Sequence, residues 1–407
     1  MFSRLPRGHD RREQSNHCRG ASLKFQSLDR LIIHQFDAAT PSPGGIDTCI
    51  RGLIRSAPPG LSIGVVGVAV DGGEKRVGKW ERHAIDSTEF EFLPVASLDP
   101  GDQGRRLPHS GLVAAGLLRH RRKIGRVGAV QAHRADLGLV AQVAFRNARH
   151  VYSIHTQAGG LNRGSTDSFW VRAASIHEWI EKRVVAGADR TVVFNENYAS
   201  ELARSGAEAR FLPTWFDSRR YFVETRSPAS SSVDMVWVGR LEEPKDPALA
   251  LDAGLALARR SPETAYTLTI VGSGTLLALL KDRLARNHTP HNLRIRMAGR
   301  QRPEEAARIV RAASVLLMTS FPGYEGFPRV LVEGLACGLP AAVTFGSDTG
   351  GLVQEGVTGS VAVGRSPDAL ADAVARAVVL DDRKSVASAV SHLSEDAIVG
   401  EFFEYTS

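Results

Sequence analysis

The stretch FPGYEGFPRVLVEGLACGLP, from Phe321 to Pro340, decides how the rest of the chain reads. A polar, glycine-bearing loop carries one carboxylate, Glu325, and gives way to an apolar run carrying a second, Glu333. Gly338 and then Pro340 supply stop signals, so a helix is predicted over Arg329 to Cys337. Seven residues separate the glutamates, which puts Glu325 at the helix mouth and Glu333 about two turns inside. The open N–H groups of a helix start attract anions. A carboxylate beside them accepts hydrogen bonds from hydroxyls. Together they suit a ligand carrying both phosphates and sugar hydroxyls. The plainer reading is a buried helix whose two glutamates are solvated or salt-bridged.

Around this stretch, the apolar runs VDMVWVG, YTLTIVG, NLRIRMAG, SVLLMTS and PAAVTF read as strands and alternate with helical patterns. Pro247 and Pro303 stand where two of those helices start. Such alternation implies a parallel, doubly wound α/β sheet. VGRLEEPKD puts Arg240 just past the first of these strands and Lys245 five residues on. Two cations at a strand's carboxyl end can neutralise a diphosphate, or simply cap a surface helix. VGSGT is a partial dinucleotide fingerprint: Gly272 and Gly274 fit, while Leu277 stands at the third glycine. SPASSSV, from Ser227 to Val233, is a small polar linker and the expected domain boundary.

In the N-terminal half, LIIHQFD reads as a first buried strand, followed by a helix over Ile46 to Ile54. Gly44 and Gly45 at that junction suit a close backbone approach to a phosphate, or an ordinary tight turn. His133 ends GAVQAH and His155 ends HVYSIH, both at the carboxyl end of a predicted strand. Ligands of open α/β sheets bind at that edge, although a lone histidine there is commonly structural. Trp170, Ala173, Ile176, Ile180 and Val184 recur at helical spacing and are expected to face the core.

A chain of 407 residues with 43% hydrophobic and 23% charged residues fits two globular domains. The expected division is a basic extension over 1–28, an N-terminal Rossmann-like domain over 29–226, the linker, a C-terminal one over 234–380, and a tail over 381–407 that crosses back. No run approaches the roughly 20 apolar residues of a membrane span, and the first residues lack a secretory core. Three cysteines give neither a disulfide framework nor metal-ligand spacing, which fits a reducing cytoplasm. The net charge of +7 is concentrated at residues 1–28 and 102–126. These suit a solvated face, a disordered or misassigned leader, or contact with an anionic membrane surface. No nucleic-acid-binding signature is present.

EGFPRVLVE followed by GLACGLP resembles the signature of retaining GT-B glycosyltransferases of family four, and the likeness extends over roughly residues 30 to 380. That resemblance implies two Rossmann-like domains facing a cleft, with a nucleotide-sugar donor (UDP- or GDP-sugar) on the C-terminal one. The acceptor, a glycan, lipid-linked or small molecule, would sit on the N-terminal domain, with His133 as its candidate contact. Arg240 and Lys245 would hold the departing diphosphate, Glu325 the sugar hydroxyls, Glu333 the ribose, and His155 would reach the transferred sugar. Gly44 and Gly45 would face the diphosphate, Gly272 and Gly274 the nucleotide, with Gly326 and Phe327 on the donor side. The implied role is cell-envelope or polysaccharide synthesis at the inner face of the membrane. No Asp-x-Asp metal motif is evident, so no metal or cofactor is expected. The chain departs from the family at Asn195, at Thr214 and Trp215, and in SDTGGLVQEGVTG, which lacks the usual proline and glutamate. The rival readings are a sugar-nucleotide epimerase, a pyridoxal-phosphate phosphorylase, or a non-catalytic GT-B subunit that binds a partner.

Overall fold

The computed structural model describes residues 27–40, 44–70, 73–98, 109–155, 174–224, 232–286 and 288–407. The basic extension, Trp170, Ala173 and most of the expected linker lie outside these residues; Ser232 and Val233 already belong to a strand.

Two sheets organise the described chain. The first contains β1 (Ser27–Ile33), β2 (Ile63–Val70), β3 (Glu81–Ile85), β4 (Thr88–Leu98), β5 (Arg126–Ala132), β6 (Arg149–Ile154), β7 (Arg190–Val193) and β8 (Ala209–Phe211), in the order β3-β4-β2-β1-β5-β6-β7-β8. All its pairings are parallel except β3 with β4. Its helices are α1 (Gly45–Arg55), α2 (His109–His120), α3 (Ala135–Ala144), α4 (Ala174–Ala186) and α5 (Glu196–Arg204). The second sheet is wholly parallel: β9 (Ser232–Val238), β10 (Ala265–Val271), β11 (Leu293–Gly299), β12 (Val315–Met318), β13 (Ala341–Thr344) and β14 (Gly359–Ala362), ordered β11-β10-β9-β12-β13-β14. It carries α6 (Pro247–Arg260), α7 (Leu277–Arg286), α8 (Pro303–Ala312), α9 (Arg329–Ala336) and α10 (Pro367–Ala377), after which come α11 (Arg383–Ser388) and α12 (Glu395–Thr406).

The sequence explains the layering. IGVVGVAV of β2 and AAVT of β13 are apolar at nearly every position because helices cover both faces of their sheets. Each sheet has its order reversal at the centre, between β1 and β5 and between β9 and β12. In open α/β sheets the crevice beyond the strands' carboxyl ends at that reversal receives ligands. The doubly wound expectation holds for both halves.

A shared core joins them. One apolar cluster runs from Leu53 and Val192 through Trp215, which is fully buried, to Leu331 and Phe402. Two stretches cross between the domains side by side: Phe216 N–H donates to Leu393 O at 3.1 Å, and Glu395 N–H to Phe216 O at 2.9 Å. Helix α12 then lies on the first domain. Its Glu395 accepts two 2.7 Å bonds from Arg55 of α1, and Arg30 of β1 donates to Thr406.

One surface expectation changes. Ile176, expected in the core, is 58% exposed, and the neighbouring Trp179 is 63% exposed; α4 faces inward with Glu181, Val184 and Val185 instead. In the basic cluster after α2, Arg121 donates to Ala144 O and Ile124 O, and Lys123 to Gly78 O. These two cations brace the fold. No helix among the described residues is long and apolar enough to cross a membrane.

Candidate active site

The carboxyl ends of β9, β12, β13 and β14 build a charged cluster. Lys245 ends a 3₁₀ turn over Glu243–Lys245, and Asp246 behind it has a left-handed φ of 47°. Several groups fix this backbone. Thr319 Oγ1 lies 2.8 Å from the carbonyl oxygens of both Lys245 and Asp246 and accepts from Trp237 Nε1 at 2.9 Å. Arg365 donates to Asp246 Oδ2 at 2.7 Å and to Ser320 O at 2.8 Å. Lys245 Nζ, so placed, pairs with Glu325 Oε1, which also accepts from Ser320 Oγ at 2.6 Å. Arg240 is exposed and donates to the Tyr324 hydroxyl at 2.9 Å, while Lys245 Nζ sits 5.7 Å from the Tyr324 ring centre. Arg240, Lys245 and Glu325 therefore meet around Tyr324. An anion entering here would find two cations, one of them released from Glu325 only when something replaces that bond.

Gly272 and Gly274 act one step back from the ligand space. A Cβ on Gly272 would lie 1.8 Å from Gly239 O, and one on Gly274 2.4 Å from Leu241 O. Gly272 also has a φ of 143°. The bare turn lets Gly239 N–H donate to Val271 O and Leu241 N–H to Ser273 O, both at 3.0 Å. The G-x-G turn thus seats the loop that carries Arg240.

The mouth of α9 faces the first domain. Asn195 caps α5 by accepting from Tyr198 N–H, and its Nδ2 donates to Gly326 O at 3.2 Å. A Cβ on Gly326 would come within 3.1 Å of Phe194 O and 3.2 Å of His155 O. A side chain there would press on both carbonyls and push the two domain edges apart by a few tenths of an ångström. Phe327 packs against Phe211 of β8 with ring centres 5.9 Å apart, and against Gly350. The amides of Glu325, Gly326 and Phe327, in the loop before the Pro328 N-cap, make no hydrogen bond among the described residues. Gly44 and Gly45 open α1 with nothing within 4 Å of either would-be Cβ. They share no described contact with the Arg240 cluster.

Across the cleft, adjacent strand ends of the first sheet carry a row of rings: His34 after β1, His133 after β5, His155 after β6 and Phe194 after β7. His155 stacks between His133 and Phe194, with centroid separations of 5.1 and 4.6 Å. His133 Nδ1 faces His155 Nε2 at 2.8 Å, and His133 Nε2 faces Gln131 Nε2 at 2.8 Å. Burial holds His34 and His155 down to about 3 and His133 well below the usual imidazole value, so all three rings are neutral. His133 was expected to reach an acceptor. It is 3% exposed and both ring nitrogens are taken. Cys49, His133 and His155 have ligand atoms within 4.8 Å of one another, the composition of a transition-metal site. The donor set fits a metal poorly: the facing imidazole nitrogens already share a hydrogen bond, and burial pushes the Cys49 thiol up to about 12.

Glu333 shares no described contact with the Arg240 cluster. It hydrogen-bonds the Tyr221 hydroxyl, and burial pushes its carboxyl up to about 7 against the opposing pull of Arg329. Arg329 in turn donates to Trp215 O at 3.2 Å and lies over its indole. Asn195, Thr214, Trp215, Ser320, Tyr324 and Arg365 carry no site role in the sequence reading. Asn195 and the Thr214–Trp215 pair stand out there only as departures from the family pattern, yet they are among the residues that touch the α9 mouth.

Residues 232–379 match the family model described as "Glycosyl transferases group 1". The chain is 28% identical over 250 residues to a glycogen synthase of Mycobacterium tuberculosis, a match covering 60% of this chain and 57% of that protein. It is 28% identical over 328 residues to a D-inositol 3-phosphate glycosyltransferase of Actinosynnema mirum, covering 71% and 77%. The chain thus spans little more than half the length of the first of these relatives. Its fold is like that of sucrose-phosphate synthase from Thermosynechococcus elongatus (TM-score 0.72, 16% identity, 93% of this chain and 98% of that one). It is also like that of Anabaena HepE solved in complex with UDP-glucose (TM-score 0.64, 15% identity, 93% and 98%). Residues 232–379 are thus similar to the group 1 glycosyl transferases, and the two doubly wound domains share the GT-B fold of these solved structures.

Proposed function

We propose that the protein transfers a glycosyl group from a nucleotide sugar to an acceptor hydroxyl, with retention of configuration. The observation that carries this reading is the convergence of Arg240, Lys245 and Glu325 beside the Glu325–Phe327 amides, which are unpaired among the described residues. As the glycosidic bond breaks, negative charge grows on the leaving phosphate and the sugar becomes oxocarbenium-like. Arg240, Lys245 and the Glu325–Phe327 amides meet the phosphate charge, and their fixed placement stabilises the transition state without reorganisation. Glu325 exchanges its bond to Lys245 for the sugar hydroxyls. His155, from the facing domain, orients the sugar. The donor class is UDP- or GDP-sugars, and HepE's complex with UDP-glucose makes a UDP-sugar the first to try. The acceptor class is a glycan or lipid-linked hydroxyl of envelope or polysaccharide synthesis.

A thermal-shift panel of UDP-, GDP- and ADP-sugars identifies the donor, since a bound donor raises the melting temperature by mass action. With the stabilising donor, Arg240→Ala and Glu325→Ala each lower turnover at least about 100-fold, the scale of a lost electrostatic stabiliser. Near-normal turnover in both variants would sink the assignment. No turnover with any donor would favour the partner-binding subunit.

A further inference from the structure

The geometry points to Gln131 and His133 as positioning residues: we propose that they fix His155 as the tautomer with its proton on Nδ1 and its lone pair on Nε2. The ring then offers the cleft a hydrogen-bond donor.

The direction of each bond follows from a residue with no choice. Arg30 is 3% exposed and can only donate. Its Nη2 donates to Thr406 O at 3.1 Å and to Thr406 Oγ1 at 3.0 Å, and its Nη1 faces Gln131 at 3.4 Å. Gln131, fully buried, must turn its Oε1 to that guanidinium and its NH₂ to His133. His133 Nε2 therefore accepts. A neutral ring has one proton, which then stands on His133 Nδ1 and is donated to His155 Nε2. That leaves the His155 proton on Nδ1, which has no partner among the described residues. The opposite tautomer of His133 would set an N–H against the Gln131 NH₂ and leave a buried donor unpaired, enough for a bias of about tenfold or more. Stacking against Phe194 holds the His155 plane.

The relay begins on α12 and ends at the edge that touches Gly326. It uses no charged imidazole. That His155 meets a sugar rests on the glycosyltransferase reading; the tautomer does not.

Two-bond ¹H–¹⁵N spectra of the ¹⁵N-histidine-labelled full chain report which nitrogen of each ring is bare. The wild type is expected to show His133 and His155 each protonated on Nδ1 alone. Gln131→Met keeps the volume and removes the directing amide, so both rings become tautomer mixtures. In the same variant kcat falls about tenfold while the donor KM stays within about twofold. A wild-type His155 protonated at Nε2, or tautomers unchanged in Gln131→Met, overturns the relay. If that variant does not fold, the wild-type spectrum alone decides. Unmixed wild-type tautomers in a protein without transferase activity would keep the relay and remove the sugar it was to serve.

Discussion

Glu333 shows how position on a helix decides a carboxylate's chemistry. It stands just over one turn inside α9, against Tyr221, with its carboxyl pushed up to about 7 by burial. An unfolded glutamate titrates near 4.3. The folded state therefore holds the proton more tightly. Its contribution to stability is full below the unfolded value and is lost as pH rises from about 4.5 through about 7. Glu333→Gln, which keeps the neutral form, is expected to flatten that part of the stability–pH curve and to exceed the wild type by about 1–3 kcal/mol at pH 8. Urea melts from pH 4 to 8 check this; parallel curves for the two proteins refute it. Arg240, Lys245 and Glu325 were legible because each sits at a fixed offset from a strand end or a helix start. Arg365 was not, because it braces Asp246 from 119 residues away and no local pattern marks it.

At the scale of elements, the G-x-G turn after β10 shows a glycine motif working through packing. Gly274→Ala puts a methyl 2.4 Å from the Leu241 carbonyl, which must shift and carry the Arg240 loop with it. Donor affinity is expected to drop about tenfold, the weight of one well-placed charged hydrogen bond. Calorimetric titration with the donor measures it, and unchanged affinity in a folded variant would return these glycines to direct nucleotide contact. Elements with continuous apolar runs were plain in the sequence, and α9 differs from its expected span by one residue at its end. β3 and β14 were not. ERHAI alternates exposed and partly covered positions at a sheet edge, and GSVA is four residues of weak strand propensity held by β13.

For the whole molecule, a returning tail was expected, but the side chains that dock it escaped sequence reasoning. Arg55 and Glu395 are 340 residues apart, and no periodicity connects them. Their side chains are each only 5% exposed, and Asp217 of the crossing segment lies 3.3 Å from the same guanidinium. Glu395→Ala would leave Arg55 buried without its closest carboxylate partner, at a cost of about 3–5 kcal/mol. Chemical denaturation is the check; a loss under about 1 kcal/mol would mean that α12 is held by its apolar face alone. Asn195, Thr214 and Trp215 belong to the same scale. Each meets a partner on α9 or its mouth that sequence distance conceals.

The paired crossing at Phe216 and Ser394 has a mechanical consequence. A single connecting strand lets two bodies swing and swivel freely, whereas two strands tied edge to edge form a flat leaf that bends across its width and resists being wrung. Tied in this way, the two crossings yield to bending more readily than to twisting of one domain against the other.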